Sequence, residues 1–315
     1  MRSAKQILGI FATGYILMFY SELVFWAHVR PDDSWSNWLF TWLAYSFLAF
    51  VFLTLVARFR IHTIWALFLA GAVFGLLAEG VLVQTTYESL PLSISFTALA
   101  WHALISVWVG WVAVNQVLSL GLRQTALLSA AIGLFFGFWA ISWWIEPAPE
   151  GVTTPLTDFA AFAVISSLIL VLAYWIYRRT LPASFMPNRI TQAGAALAVL
   201  LYFIFVAVPA APIAVVVLPA LLLLIYVALR NNRQVETRES VLSGTTRSVP
   251  RWNYLGLLAL PLTAIGFYAA ASALGLEWRT NWITYLITTP LGFILLIFAL
   301  VRVWQIQPAV SSVAE

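Results

Sequence analysis

Ten long apolar runs dominate this sequence and limit what it can fold into. Each run is close to the ~20 residues that an α-helix needs to cross the bilayer core. The pattern predicts an all-α, polytopic integral membrane bundle of about ten transmembrane helices. We place the runs at residues 5–27, 36–57, 63–84, 94–118, 124–145, 157–177, 191–208, 211–229, 253–274 and 281–303.

Composition agrees with a chain that lies in a bilayer. The sequence is 63% hydrophobic and 9% charged, whereas soluble domains carry about 25% charged residues. Cysteine is absent, which excludes disulfides, thiolate metal ligands and a cysteine nucleophile. The first apolar run follows a basic start and lacks a small-residue cleavage site, so we expect a retained helix and not a signal peptide.

The distribution of charge predicts the orientation. With the N-terminus inside, all of the 16 basic residues except Arg30 and Arg279 fall in cytoplasmic segments, as the positive-inside rule requires. Both termini are then cytoplasmic, and most acidic residues lie on the outer side. The net charge of +4 follows from this distribution, so we expect no nucleic-acid partner. We expect a multi-pass protein of the cell membrane, the inner or plasma membrane of a prokaryote.

The seventh and eighth runs are interrupted by Pro209, Pro212 and Pro219. This segment can form either two full helices or a re-entrant hairpin, because proline weakens a helix but is tolerated in membrane-spanning helices. An arginine-rich connection then separates the last two runs from the others. The predicted division is a main transmembrane bundle over 1–229, a cytoplasmic loop over 230–251, a C-terminal helix pair over 252–304 and a cytoplasmic tail over 305–315.

Glu79 and His102 are titratable groups inside apolar helices, where an unpaired charge is costly. Glu79 is about five residues from the outer end of the third run, and His102 is about eight from the outer end of the fourth. The connection between these runs is short, so we expect antiparallel neighbours with a Glu79–His102 contact that handles protons. Thr86 is expected on the face of Glu79, and Ser95 and Ser106 on the face of His102.

Other polar groups cluster near the predicted outer ends of helices. Glu22 closes the first run, where its side chain either extends to the interface or turns inward to assist Glu79 and His102. Trp139 and Trp143 share a helical stripe with Glu146. For these two indoles, anchoring in an aromatic belt and forming a site wall are both open. The candidate substrate-binding residues are Trp143, Glu146, Asp158, Tyr87 and Glu88.

Metal and cofactor signals are weak in this sequence. Histidine and glutamate suit zinc, but no HExxH motif or close histidine pair occurs. The sequence also lacks a phosphate-binding loop, a GxGxxG motif and a serine–histidine–aspartate arrangement. We therefore expect no metal and no cofactor.

Three functions remain open. The first is a transporter with an outward-facing polar pocket; because the outer side has few basic residues, its cargo would be a proton, a cation or a neutral small molecule. The second is a membrane-embedded enzyme acting on a lipid-like substrate at the outer leaflet, with Glu79 as general base and His102 as acid. The third is a non-catalytic subunit of a membrane complex. The expected partners are the bilayer and a small-molecule or ion ligand, and no oligomeric state follows from the sequence.

Overall fold

The structure, a computed structural model, describes residues 2–31, 33–147, 151–232 and 240–305. Over these ranges the chain is 82% helical and contains no strand. Ten helices there are long and apolar enough to cross a membrane. In chain order, α1 to α10 are Ala4–Trp26, Trp35–Arg58, Ile64–Leu82, Ile94–Leu120, Leu122–Trp144, Leu156–Thr180, Arg189–Ala210, Ala214–Asn232, Arg251–Ala273 and Thr280–Trp304. All ten predicted spans are confirmed as helices, and every end lies within three residues of its predicted position.

Local chemistry explains where several helices begin and end. The Thr63 side chain accepts a hydrogen bond from the Ala66 N–H at the start of α3, and Asn188 accepts one from the Thr191 N–H at the start of α7. Such caps satisfy backbone donors that have no partner within the helix. Gly121, with φ of +142°, separates α4 from α5, a backbone conformation that favours glycine.

The seventh and eighth runs form two helices, α7 and α8, of 22 and 19 residues. Residues 211–213 connect them, and Pro219 lies inside α8. Each helix is long enough to cross, as the alternative with two full helices predicts. Only 6% of the most apolar window of α7 is buried, so most residues of this helix are exposed.

The chain divides into two compact units that alternate along the sequence. Unit 1 comprises Met1–Ala49, Val109–Leu181 and Thr245–Thr288, and unit 2 comprises Phe50–Trp108, Pro182–Gly244 and Thr289–Glu315. The division predicted from the sequence, by consecutive segments, stays a prediction. Most of the predicted tail, residues 306–315, and residues 233–239 of the predicted loop lie outside the described residues.

Unit 1 is built around aromatic side chains. Phe159 of α6 and Tyr268 of α9 stack with ring centroids 4.1 Å apart, and Phe136 of α5 meets Phe159 edge-on at 5.5 Å. Such pairs add to the stabilisation from burial alone. They hold α5, α6 and α9 together.

Arg178 in the last turn of α6 is buried in unit 1, with 7% of its surface exposed. Its Nε donates to the Asn115 side-chain oxygen at 3.0 Å, and its terminal nitrogens donate to the Ser119 hydroxyl and the Asn115 and Arg247 carbonyls. A buried guanidinium needs such acceptors to replace its hydration. Arg178 therefore fastens α6 to α4 and to the segment before α9.

Candidate functional site

Glu79, His102 and Glu22 all lie in π-helical segments. Glu79 is in the turn Ala78–Leu82, which the Val83 N–H closes by donating to the Ala78 carbonyl at 3.1 Å. Glu22 is in Phe19–Leu23 and His102 in Ile94–Ala113. π-Helical turns are rare and are frequent at functional sites. Residue types do not reveal a hydrogen-bond register, so these π-helical segments could not be predicted from the sequence.

Small residues bring α3 and α4 together in unit 2. A Cβ atom added to Gly75 would lie 2.8 Å from the Ala98 carbonyl carbon, and one added to Gly71 would lie 3.0 Å from the Ala103 Cα. This is the close backbone approach that a Gly-x-x-x-Gly spacing permits. Glu79 follows Gly75 by four residues and His102 follows Ala98 by four, so the same contact leads directly to the pair. The Gly71–Gly75 spacing is visible in the sequence and is the signal that indicates this close approach.

The predicted contact between Glu79 and His102 is confirmed. The His102 Nε2 lies 2.6 Å from the Glu79 Oε1. The His102 side chain is 2% exposed and that of Glu79 is 12% exposed. The Thr85 hydroxyl donates to the Glu79 Oε2, and Thr97 lies within hydrogen-bonding reach of the same carboxylate. Neither threonine was predicted.

The position of Glu79 makes these partners necessary. Its carboxylate is in the last turn of α3, where the negative end of the helix dipole disfavours an anion. The hydroxyl and imidazole donors compensate by replacing water. Phe74 packs edge-on against the His102 ring with centroids 5.4 Å apart. The histidine is thus enclosed on one side by an aromatic ring and on another by the carboxylate.

The two serines predicted on the face of His102, Ser95 and Ser106, are buried, and their hydroxyls donate hydrogen bonds to backbone carbonyls. Ser95 donates to the Thr289 carbonyl, and Ser106 donates to the Trp101 carbonyl at 3.3 Å. The prediction that Thr86 continues the helical face of Glu79 is wrong. The helix α3 ends at Leu82, because Gln84 adopts a left-handed conformation with φ of +61°.

Tyr87 and Glu88 follow this break. The Tyr87 hydroxyl donates to the Gly80 carbonyl at 2.9 Å, and burial raises the pKa of Tyr87 to about 12. Tyr87 therefore stays neutral and secures the Glu79 turn. Glu88 is exposed. Their predicted substrate-binding roles stay predictions.

Glu22 is held by neutral donors in unit 1. The Tyr45 hydroxyl donates to its Oε1 at 2.6 Å, and the Trp26 indole donates to its Oε2 at 3.2 Å. The side chain is half-buried. Its carboxylate thus turns toward Tyr45 and Trp26 within unit 1; its predicted extension to the interface and its predicted assistance to Glu79 and His102 both stay predictions.

The indoles of Trp139 and Trp143 secure the end of α1. Both donate to the Phe25 carbonyl, Trp143 at 3.0 Å, and Trp143 stacks on Trp26 with centroids 5.1 Å apart. Trp139 and Trp143 are 3% and 8% exposed. Anchoring in lipid is therefore the wrong interpretation for these two residues, because both are buried inside unit 1.

The remaining predicted residues differ in their surroundings. Glu146 is half-buried and accepts a hydrogen bond from the Asn281 side chain, a partner that the sequence did not suggest. Asp158 is exposed in the first turn of α6 and accepts from Thr157 at 3.2 Å. An acid there suits the positive end of the helix dipole. A structural role thus explains Asp158 without a ligand.

The predicted residues fall into two groups. Glu22, Trp143, Glu146 and Asp158 belong to unit 1, and Glu79, His102, Tyr87 and Glu88 belong to unit 2. A single pocket that draws on both groups stays a prediction. Among the described residues, no three His, Asp or Glu side chains lie close enough together to hold a metal ion. Comparison with known proteins gave no match to a protein-family model, a curated protein or a solved structure.

Proposed function

We propose that this chain is a multi-pass membrane transporter in which Glu79 and His102 take up and release a proton. The observation that carries the proposal is the 2.6 Å contact between the imidazole and the carboxylate, at the end of a helix apolar enough to cross a membrane. The predicted orientation places this pair near the outer side, with both termini in the cytoplasm.

The chemistry of the pair suits proton exchange. A carboxylate and an imidazole in contact titrate as one unit, so a proton belongs to the pair and not to one residue. Each gain or loss changes the local charge by one within a weakly polar wall, where such a change strongly affects neighbouring conformations. The Thr85 hydroxyl can accompany the change, because it rotates freely.

The surroundings favour a proton, a cation or a neutral molecule as cargo. Of the two basic residues predicted on the outer side, Arg30 is already paired with Asp33 at 3.0 Å. Its guanidinium also lies 4.4 Å from the centre of the Trp26 ring. This leaves Arg279 as the one outer basic residue without a carboxylate partner in the described part of the chain. An anionic cargo would lack a cluster of cations to receive it.

Proton flux through liposomes tests the proposal. The full-length protein is reconstituted with a pH-sensitive dye inside, and a potassium gradient with valinomycin drives proton entry. Wild-type protein should acidify the lumen, and Glu79→Gln should abolish the flux, because the amide keeps the shape but does not titrate. Glu277→Gln is the matched control, since Glu277 is an exposed carboxylate in another connection.

Unchanged flux in a correctly inserted Glu79→Gln variant would contradict the proposal. Wild-type flux equal to that of protein-free liposomes would exclude a proton as the cargo, and it would contradict the proposal if it persisted with cations and neutral solutes added outside. Turnover of a lipid-like substrate that needs Glu79 but moves no protons would favour the enzyme alternative instead.

A further inference from the structure

A cavity of about 650 Å³ lies within unit 2, between four helices. The residues that line it include Val51 of α2, Leu77 of α3, Val199 of α7 and Leu218 of α8. This volume lies within the range of about 300–1,000 Å³ that small-molecule sites occupy. Three of the residues that line the cavity are polar: Thr54, Arg58 and Gln192. All the others are apolar.

The cavity has one polar end and one apolar end. Arg58, the last residue of α2, and Gln192, in the first turn of α7, line one end. Phe203 and Val81 line the other, where the segment Phe203–Ala207 contacts the turn Ala78–Leu82. From Gln192 to Phe203 the helix rises about 16 Å. The space is therefore long, apolar and capped by a cation.

Arg58 is available to a ligand. Its side chain is exposed, and none of the carboxylates in the described ranges pairs with it. The Gln192 amide already donates to the Pro187 carbonyl at 2.8 Å, and the Thr54 hydroxyl donates to the Phe50 carbonyl at 2.7 Å. The charge at this end is thus the one strong polar feature that the cavity offers.

We infer that the cavity binds one acyl chain of an anionic phospholipid, with the phosphate at Arg58. The apolar length suits a hydrocarbon chain, and the guanidinium suits a phosphate by charge and by geometry. The outward-facing α7 forms one wall, so the site opens among membrane-crossing helices where lipids are the nearest ligands. The predicted orientation puts Arg58 at the cytoplasmic leaflet, where anionic lipids are found. This inference does not depend on transport.

Photo-crosslinking of the wild-type protein tests the site directly. The probe is phosphatidylglycerol with a diazirine on one acyl chain, mixed with unlabelled lipid in nanodiscs that hold the full-length chain. Crosslinks are mapped by mass spectrometry. We expect them on the cavity-lining faces of α3 and α7, for example at Leu77 and Val199. Crosslinks confined to helices that do not line the cavity would overturn the inference.

Matched variants then separate the chain site from the headgroup site. Ala195→Phe fills the cavity from α7, whereas Ala198→Phe adds the same ring at an exposed position of α7 that does not line it. The filled variant should lose the crosslinks at Leu77, and its control should keep them. Val199→Phe fills the same space if Ala195→Phe is not monodisperse.

Arg58→Gln tests the contact between Arg58 and the anionic headgroup. The variant should still bind a chain, but its preference for phosphatidylglycerol over phosphatidylcholine with identical chains should fall about fivefold, the effect of one arginine near anionic headgroups. Arg189→Gln is the control, because Arg189 is an exposed basic residue outside the cavity lining. An unchanged preference in Arg58→Gln, or an equal loss in Arg189→Gln, would refute the assignment of the anionic headgroup to Arg58. The binding readouts stand whether or not proton flux is found.

Discussion

Substitution of Gly75 by alanine is the sharpest test of how the Glu79–His102 pair is formed. The added Cβ would lie 2.8 Å from the Ala98 carbonyl carbon and closer still to its oxygen. Both are backbone atoms, which no side-chain rotation can move aside. The helices α3 and α4 must therefore separate at this point.

The size of the effect follows from these distances. Ordinary contact begins at 3.4 Å, so the carbon alone demands a shift of about 0.6 Å, and the oxygen demands more. If α4 moves as a rigid helix, the 2.6 Å contact between Glu79 and His102 lengthens to about 3.2 Å or beyond. Charge-assisted hydrogen bonds are about 2.7–2.9 Å long. Overpacking of this kind costs about 1–3 kcal/mol.

Unfolding of the purified protein by SDS in mixed micelles measures the loss of stability that Gly75→Ala causes. Gly194→Ala is the matched control, because a Cβ at Gly194 meets nothing within 4 Å and should only gain the roughly 0.5–1 kcal/mol of alanine helix propensity. The free energy of unfolding of Gly75→Ala should be lower than that of this control by about 1–3 kcal/mol. A double-mutant cycle between Glu79→Gln and His102→Gln should also show a smaller coupling energy in the Gly75→Ala background.

Equal stability of Gly75→Ala and Gly194→Ala would refute the close approach of the two helices. A coupling energy that is unchanged by Gly75→Ala would show that the glycine does not position the pair. Either result can be obtained without knowing the cargo.

Two further predictions concern orientation and pH. The chain has no cysteine, so a membrane-impermeant maleimide should label Glu88→Cys in sealed cells and Arg123→Cys only after permeabilisation; the opposite pattern would invert the orientation. His28, just beyond α1, is buried, and this burial lowers its pKa despite the opposing effects of the Trp26 backbone and the Asp33 charge. Its neutral form is thus favoured in the folded protein, and the stability that it contributes above about pH 6.5 is lost as the pH falls. Between pH 7.5 and pH 5, the free energy of unfolding by SDS should decrease less for His28→Gln than for wild type. An equal decrease would show that His28 does not cause the loss of stability at low pH.

The number and ends of the helices could be predicted because bilayer thickness sets their length. Arginine, proline and glycine at the ends of apolar runs place most boundaries directly, as at Arg58 and Gly121. The contact of Glu79 with His102 was also accessible, since a short connection makes consecutive helices neighbours. These inferences need only the spacing of residue types along the chain.

Other features depend on interactions that spacing does not encode. The left-handed Gln84 ends α3 before Thr86. Extending the helical face of Glu79 past Leu82 therefore predicted Thr86 as its neighbour, whereas Thr85 is the residue that contacts it. The burial of Trp139 and Trp143 depends on the Phe25 carbonyl, which belongs to a distant part of the sequence. Partners such as Asn281 for Glu146 likewise come from helices far apart in the chain, and only the folded structure identifies them.

The close approach at Gly75 has a consequence for descent. Gly71, Gly75, Glu79 and His102 form a spaced pattern: the first three follow one another at intervals of four positions, and His102 follows Glu79 by 23 positions. In a lineage that keeps the Glu79–His102 contact, a larger residue at the position of Gly75 would be selected against, because it would push α3 and α4 apart. In a lineage that has lost the pair, the glycines are free to drift together with the glutamate and the histidine. Covariation of these four positions would therefore distinguish descendants that kept the Glu79–His102 contact from those that kept only the helices.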